Sequence, residues 1–555
     1  MFSLLLKIRL LSFFNVARQT ATRSVLLTAG LTAVGAVLFV AVFLGFKVFL
    51  GLSVSEKATQ ELVIEIFYFL FLFLLAGAVP FVASTLLQSS DYLLLLASPV
   101  KPRAVVAAKL LDATVTNSLQ FTVIGIPAIA SCAATMGIGG VWWLFVVLLT
   151  LLFVFVPALA TALVLLASLS MFGMHRVRKA IAVVNLTMAA IVCLTIVVQV
   201  NRLPIRRAYG FQNGAFQADR LTSTLLTSSP SAHASPSGWF ATALISVGQG
   251  HFAEAIRGVG LISIVVVALF ALCTLLGERL LVTGSLEGYD EGGPAPLVRN
   301  GPGNDRPGLR RLIGFPVFAL MTKDLRFIAR DSVLLGQLGM PVVLFFVPFA
   351  LAMQEHLRGM TSPTELYYIS IGMTGFILFM QSSILSLSSI GVESRAFWML
   401  LTSPNQSSGV LWGKFLTCVF VSSGISCALT LFNGFVFHAD YALVGFQCVI
   451  ITAMSMALCG MGVGLSACLP RFVYENPAHR VSAWALILGF FSTVGYLFVS
   501  AIILLATFLL ASQVTERAMV IYIFGATLFG ALTLTCALLP MAIGARRLSA
   551  YQWTH

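Results

Sequence analysis

The chain has 555 residues, 59% of them hydrophobic and only 10% charged, with a formal net charge of +13. Its mean hydropathy is +0.98. Soluble domains are nearer half apolar and a quarter charged, so this composition excludes one and places the chain in a membrane. The basic residues are spread over many short loops instead of one face, which excludes nucleic acid as the partner.

Residues 1–23 mix Phe2, Leu4, Leu5, Leu6, Leu10, Leu11, Phe13 and Phe14 with Lys7, Arg9, Arg18 and Arg23. No small-residue cleavage site follows a compact apolar core, so the segment reads as an amphipathic helix lying in the interface, not as a signal peptide. Twelve apolar runs then reach the length of about 20 residues needed to cross the hydrocarbon layer. The first six cover 25–46, 62–87, 105–131, 141–170, 180–200 and 256–282. The second six cover 332–353, 366–390, 408–436, 441–468, 481–511 and 518–544.

Lys and Arg placement sets the orientation. With the N-terminus in the cytoplasm, inside segments collect 24 of the 33 basic residues. Arg176, Arg178 and Lys179 mark one inside loop, and Arg471 and Arg480 mark another. Residues 201–255 form a long outside loop, in which Phe240, Ala241, Leu244, Ile245 and Val247 give one apolar face to a short interfacial or re-entrant helix.

Residues 285–308, with six Gly and four Pro, read as a flexible cytoplasmic linker. As a coil it spans about 27 Å. On either side lie a first six-span half, 1–284, and a second, 309–555. The halves share a phrase: 96–109 reads LASPVKPRAVVAAK and 401–414 reads LTSPNQSSGVLWGK. Ser98, Pro99 and Lys109 match Ser403, Pro404 and Lys414. Lys7-Ile8-Arg9 and Lys323-Asp324-Leu325-Arg326 both precede the first span of a half. Six is even, so the halves point the same way. The expected fold is an all-α polytopic membrane protein of about 12 transmembrane helices, in two parallel-oriented six-helix repeats.

The two loops that carry the shared phrase are candidate docking elements. Asp91 precedes an apolar run that ends at Pro99, with Lys101 and Pro102 beyond it. Glu393, Arg395, Phe397 and Trp398 precede the run that ends at Pro404. Pro ends a helix at the residue before it, so each loop reads as a short surface helix with a rigid exit. Lys109 and Asp112, one turn apart, read as an ion pair near the inside end of a span.

Nucleotide chemistry is absent from the sequence: no GxxxxGK[ST], HExxH or GxSxG occurs. The nine cysteines lie in apolar runs and read as small buried hydrophobes, not as disulfides or metal ligands. The spans lack the mid-depth charges of ion-coupled carriers. A helical body without its own energy source points to energy supplied by another subunit.

On these residues the chain resembles an ABC transporter permease of the ABC-2 exporter class, with two six-span halves fused. Asp91 to Lys109 and Glu393 to Lys414 are similar to that family's first cytoplasmic loop. Pro470, Arg471, Phe472, Asn476 and Pro477 resemble its second, and SPSGWFATAL at 235–244 resembles its Pro-x-x-Trp stretch. MFGMHRVRKA in the first half lacks the second-loop residues. The resemblance implies elbow helices before each core and coupling helices at 90–103 and 394–405, on which two copies of a separate ATPase subunit dock. ATP and Mg would then be bound by that partner, and no cofactor by this chain. It also implies a multi-pass protein of a bacterial inner membrane, with both termini in the cytoplasm and an apolar substrate path between the halves. Two other classes fit the helix count: a secondary carrier of the major facilitator type, whose Gly-x-x-x-Asp-Arg loop is missing here, and a non-transport scaffold coupled to an ATPase.

Overall fold

The computed structural model describes residues 36, 39–40, 42–48, 50–51, 56–87, 101–172, 174–202, 230–290, 315–357, 363–401, 407–472, 474, 480–513 and 518–549. Among them the regular structure is helix alone. The physical reason is the solvent: lipid offers no hydrogen bonds, so a spanning backbone must satisfy its own N–H and C=O groups. The chain divides into two compact units, Met1–Ala295 and Pro296–His555.

The first unit contains α1 (Glu56–Leu87), α2 (Pro102–Thr135), α3 (Trp142–Phe172), α4 (Met174–Arg202), α5 (Pro230–Ala234), α6 (Pro236–Gly248) and α7 (Phe252–Asp290). Pro102 opens α2 where its missing N–H costs nothing, and Lys101 before it is extended at ψ 130°. Helix α1 packs on α2, α3 and α4, and α7 packs on α3 and α2.

Helix α6 is the segment expected as an interfacial or re-entrant piece. It is buried nearly all round, with Phe240, Ala241, Ala243, Leu244, Ile245 and Val247 enclosed, and it packs on α1, α3 and α7. Ser235 caps it by accepting from Gly238 N at 3.1 Å, and Pro236 follows at the first helical position. Phe240 meets the rings of Phe67 at 4.6 Å and Phe153 at 4.7 Å. The apolar residues missed in the sequence pattern, such as Ala243, complete the circumference.

The second unit contains α8 (Phe315–Arg330), α9 (Ser332–Leu357), α10 (Pro363–Ser388), a 3₁₀ turn (Gly391–Ala396), α11 (Phe397–Leu401), α12 (Ser407–Val436), α13 (Tyr441–Cys468), α14 (Ala483–Gln513) and α15 (Ala518–Ser549). Helices α10, α12 and α13 pack mutually, and α15 lies along α13. A Cβ on Gly464 would fall 2.4 Å from the backbone of Pro540, so only glycine permits that approach. Close packing of this kind substitutes for the hydrophobic drive that lipid removes.

Among the described residues eight helices are long and apolar enough to cross a membrane, on α1, α3, α7, α10, α12, α13, α14 and α15. The expected spans on α2, α4 and α9 keep shorter apolar stretches, Gly125–Thr135, Ile181–Thr195 and Ser332–Val343. The expected span at 25–46 lies mostly outside the described residues, although 42–48 is helical. Two boundaries need correction. Residues 285–290, assigned to the linker, continue α7, while 291–308 lies outside the described residues. Arg176, Arg178 and Lys179, read as a loop, lie in the first turns of α4; Arg and Lys are good helix formers and extend a span past its apolar part.

Candidate functional site

The densest charge chemistry lies at one end of the second unit. Helix α8 is amphipathic: Leu320 and Met321 are buried, whereas Lys323, Arg326, Phe327 and Arg330 are exposed. Asp324 is one turn beyond Leu320 and one before Ile328, so it lies on the inner face. That face packs on α12, whose second turn carries Lys414.

The Lys414 side chain is only 3% exposed. Its Nζ donates to Glu393 Oε1 at 2.7 Å and to Asp324 Oδ2 at 3.3 Å. Lys323 Nζ lies 3.3 Å from Asp324 Oδ1 and also donates to Glu393 Oε1. Two lysines and two carboxylates thus form a neutral quartet that joins α8, the turn after α10, and α12. Leu320, Leu334, Ile390, Val410, Leu411 and Phe415 belong to the apolar core at this end. Removing such charges from water is costly unless each finds a partner, and here each does.

A second loop locks onto the same turn. Phe472 stacks on Phe397 at 4.9 Å and 23°. Ser394, held at φ 50°, donates its hydroxyl to the Phe472 carbonyl at 3.0 Å. That φ lies in the left-handed region, costly for a residue with a side chain, so the surrounding contacts hold it there. Ile390 N donates to Ser466 Oγ at 3.3 Å. Arg480 Nη1 donates to Asp331 Oδ2 at 3.0 Å. Asp331 in turn starts α9, its Oδ1 accepting from Val333 N at 3.0 Å and Leu334 N at 3.2 Å. Side-chain contacts therefore tie the turn, the second loop, α8 and the start of α9 to one another.

Of the residues singled out in the sequence, the structure brings together Glu393 and Lys414. Arg395 lies in the same 3₁₀ turn. Pro470 is half-buried and Arg471 exposed in the second loop. Asp91, Ser98, Pro99, Ser403 and Pro404 fall outside the described residues. In the first unit Lys101 is exposed just before α2, and Lys109 is 2% exposed on it. Arg103, at the start of α2, pairs with Glu278 on α7. Sequence reading missed Asp324, Asp331 and the partner role of Arg480. Asp324 had a visible signal: an acid at i+4 from one apolar residue and i−4 from another. Asp331 and Arg480 are 149 residues apart and had none. Among the described residues no three His, Cys, Asp or Glu side chains converge as a metal site.

Fold and site define an all-α polytopic membrane protein with a charge-locked loop junction at one end of its second unit. The family model described as "Putative ATP-binding cassette" matches residues 16–552, so the chain belongs to this ABC-transporter-related family. No curated protein and no solved structure matches the chain.

Proposed function

We propose that the chain is the permease part of an ABC exporter of the ABC-2 type, driven by two copies of a separate ATPase subunit. Membership of an ABC-related family supports an ABC system. Two features support the permease role within it: the described residues hold helices and no strand, and the sequence has no phosphate loop. A phosphate loop joins a strand to a helix and cradles phosphate on backbone N–H groups.

The observation that carries the reading is the Glu393–Lys414–Asp324 junction. A loop fastened by charges to two helices, α8 and α12, transmits a push instead of absorbing it. In this reading the turn and α11 form the coupling element of the second unit, α8 is its elbow, and Pro470 and Arg471 belong to its docking loops, while Lys101 and Lys109 belong to the docking element of the first unit. The docking elements face the cytoplasm of a bacterial inner membrane, and the two six-span halves complete the transmembrane part in one chain. ATP and Mg are bound by the partner. ATP-driven closure of the two ATPases moves the coupling element, and α10 and α12 with it, which changes the affinity of the path for its cargo.

Affinity purification from native membranes in mild detergent tests this. The reading expects a phosphate-loop ATPase at two copies per chain, with ATP hydrolysis in the purified sample. A folded chain recovered alone, without hydrolysis, contradicts it.

A further inference from the structure

The second unit also carries polar chemistry that the junction does not use. Helix α12 buries a file of hydrogen-bonding side chains along its length: Thr417, Ser422, Ser426, Thr430 and Asn433, none more than 3% exposed. The facing side of α10 buries Thr374, Gln381, Ser382 and Ser386, none more than 1% exposed. Sequence reading took the interior as apolar. Most of these hydroxyls bond their own helix, as Thr417 does to Gly413 O at 2.8 Å and Thr430 to Ser426 O at 2.9 Å. Three groups keep a buried oxygen with no partner among the described residues: Gln381 Oε1, Ser426 Oγ and Asn433 Oδ1.

Register brings two of them to one level. Asn433 Nδ2 donates to Thr374 Oγ1 at 3.4 Å near one end of the pair, and Lys414 meets Glu393, in the turn just beyond α10, at 2.7 Å near the other. The two helices therefore run antiparallel. Seven residues inward from Asn433 and Thr374, Ser426 stands level with Gln381. Ser426 is about 18 Å along α12 from Lys414, near the middle of a hydrocarbon layer of about 30 Å.

The third wall is α13. Ser422 and Ser455 hydroxyls bond at 2.7 Å, and the Cys459 thiol is 3.5 Å from Ser422. Gln381 spends one of its two amide N–H groups on Leu338 O at 3.2 Å. What remains at the centre is the Gln381 acceptor oxygen and the Ser426 hydroxyl, and polar groups left bare at this depth are expensive. The group it calls for is a small neutral hydrogen-bond donor. Uncharged serine and glutamine side chains do not balance a cation.

We propose that α10, α12 and α13 enclose a hydrated crevice at mid-depth of the second unit, where water donates to Gln381 and Ser426 and exchanges with bulk. The crevice stands independently of any ATPase partner. It gives the second unit a polar route past the apolar layer.

Native cysteines read it without substitution. Cys459 borders the crevice, whereas Cys273 on α7 is buried and bonds Leu159 O at 3.4 Å; both are 0% exposed. Thiols react as thiolates, and thiolates need water. The full chain in lipid nanodiscs is treated with methanethiosulfonate ethylammonium, and each cysteine is followed by peptide mass spectrometry. The expected result is labelling of Cys459 at least tenfold faster than Cys273, slowed toward the Cys273 rate by Gln381→Leu. Ser426→Cys should label at the rate of Cys459. Equal slow labelling of Cys459, the Ser426→Cys thiol and Cys273 overturns the proposal. So does fast Cys459 labelling that Gln381→Leu leaves unchanged in a chain that still elutes as a folded monodisperse species.

Discussion

Gly391 lies directly against the carbonyl of Arg480: a Cβ added to Gly391 would sit 2.1 Å from that oxygen. Backbone, not a flexible side chain, blocks the space. The turn after α10 and the loop after α13 are thus in contact where a single methyl forces them apart. Gly391→Ala is expected to cost about 1–3 kcal/mol, as overpacking does. The measurement is the thermal midpoint in detergent, together with faster amide exchange at 469–472 and 480–482. An unchanged midpoint would mean that the two loops are not locked.

The quartet predicts an ordering. Lys414 is 3% exposed and holds two carboxylates that are each 13% exposed, whereas the Lys323 side chain is 45% exposed. Removing one partner of a buried ion pair costs about 3–5 kcal/mol, because the charge left behind stays desolvated. An exposed partner costs about 0–1 kcal/mol. Lys414→Met should therefore lower the unfolding midpoint far more than Lys323→Met. Lys414→Met combined with Asp324→Asn and Glu393→Gln should recover part of the loss, since no carboxylate then remains unpaired.

Asp331 and Arg480 have two duties each. Asp331→Ala loses the α9 cap, about 1 kcal/mol, and the bond to Arg480. Arg480→Met loses that bond and the placement of its guanidinium over the Phe327 ring, 6.0 Å from the centroid. Both changes should lower the circular dichroism melt, with amide exchange at Val333 and Leu334 accelerated only in Asp331→Ala.

Much of the architecture was legible because lipid imposes one rule on backbone. Long Leu, Val, Ile and Phe runs become helices, and the runs at 408–436 and 441–468 lie on α12 and α13 almost end to end. The site was legible in part. Glu393 and Lys414 stood out because the same phrase flanked an earlier lysine. Asp331 and Arg480 did not, since a pairing across 149 residues is set by helix packing and leaves no local pattern. The enclosure of α6 was hidden for a related reason. Its pattern shows one apolar face, and only the surrounding α1, α3 and α7 bury the small residues on the rest. The hydroxyl file on α12 was lost among apolar neighbours, because serine and threonine barely lower the hydropathy of a span.

Amide exchange across the catalytic cycle tests the central claim most directly. The chain and its co-purified ATPase are compared without nucleotide and after trapping with ATP and vanadate. If the junction couples the two, exchange changes together at the Gly391–Ala396 turn, at α8 and at 480–482, and Lys414→Met abolishes the change at α8 while the complex stays assembled. Trapped ATPase with unaltered exchange at all three segments would contradict the account.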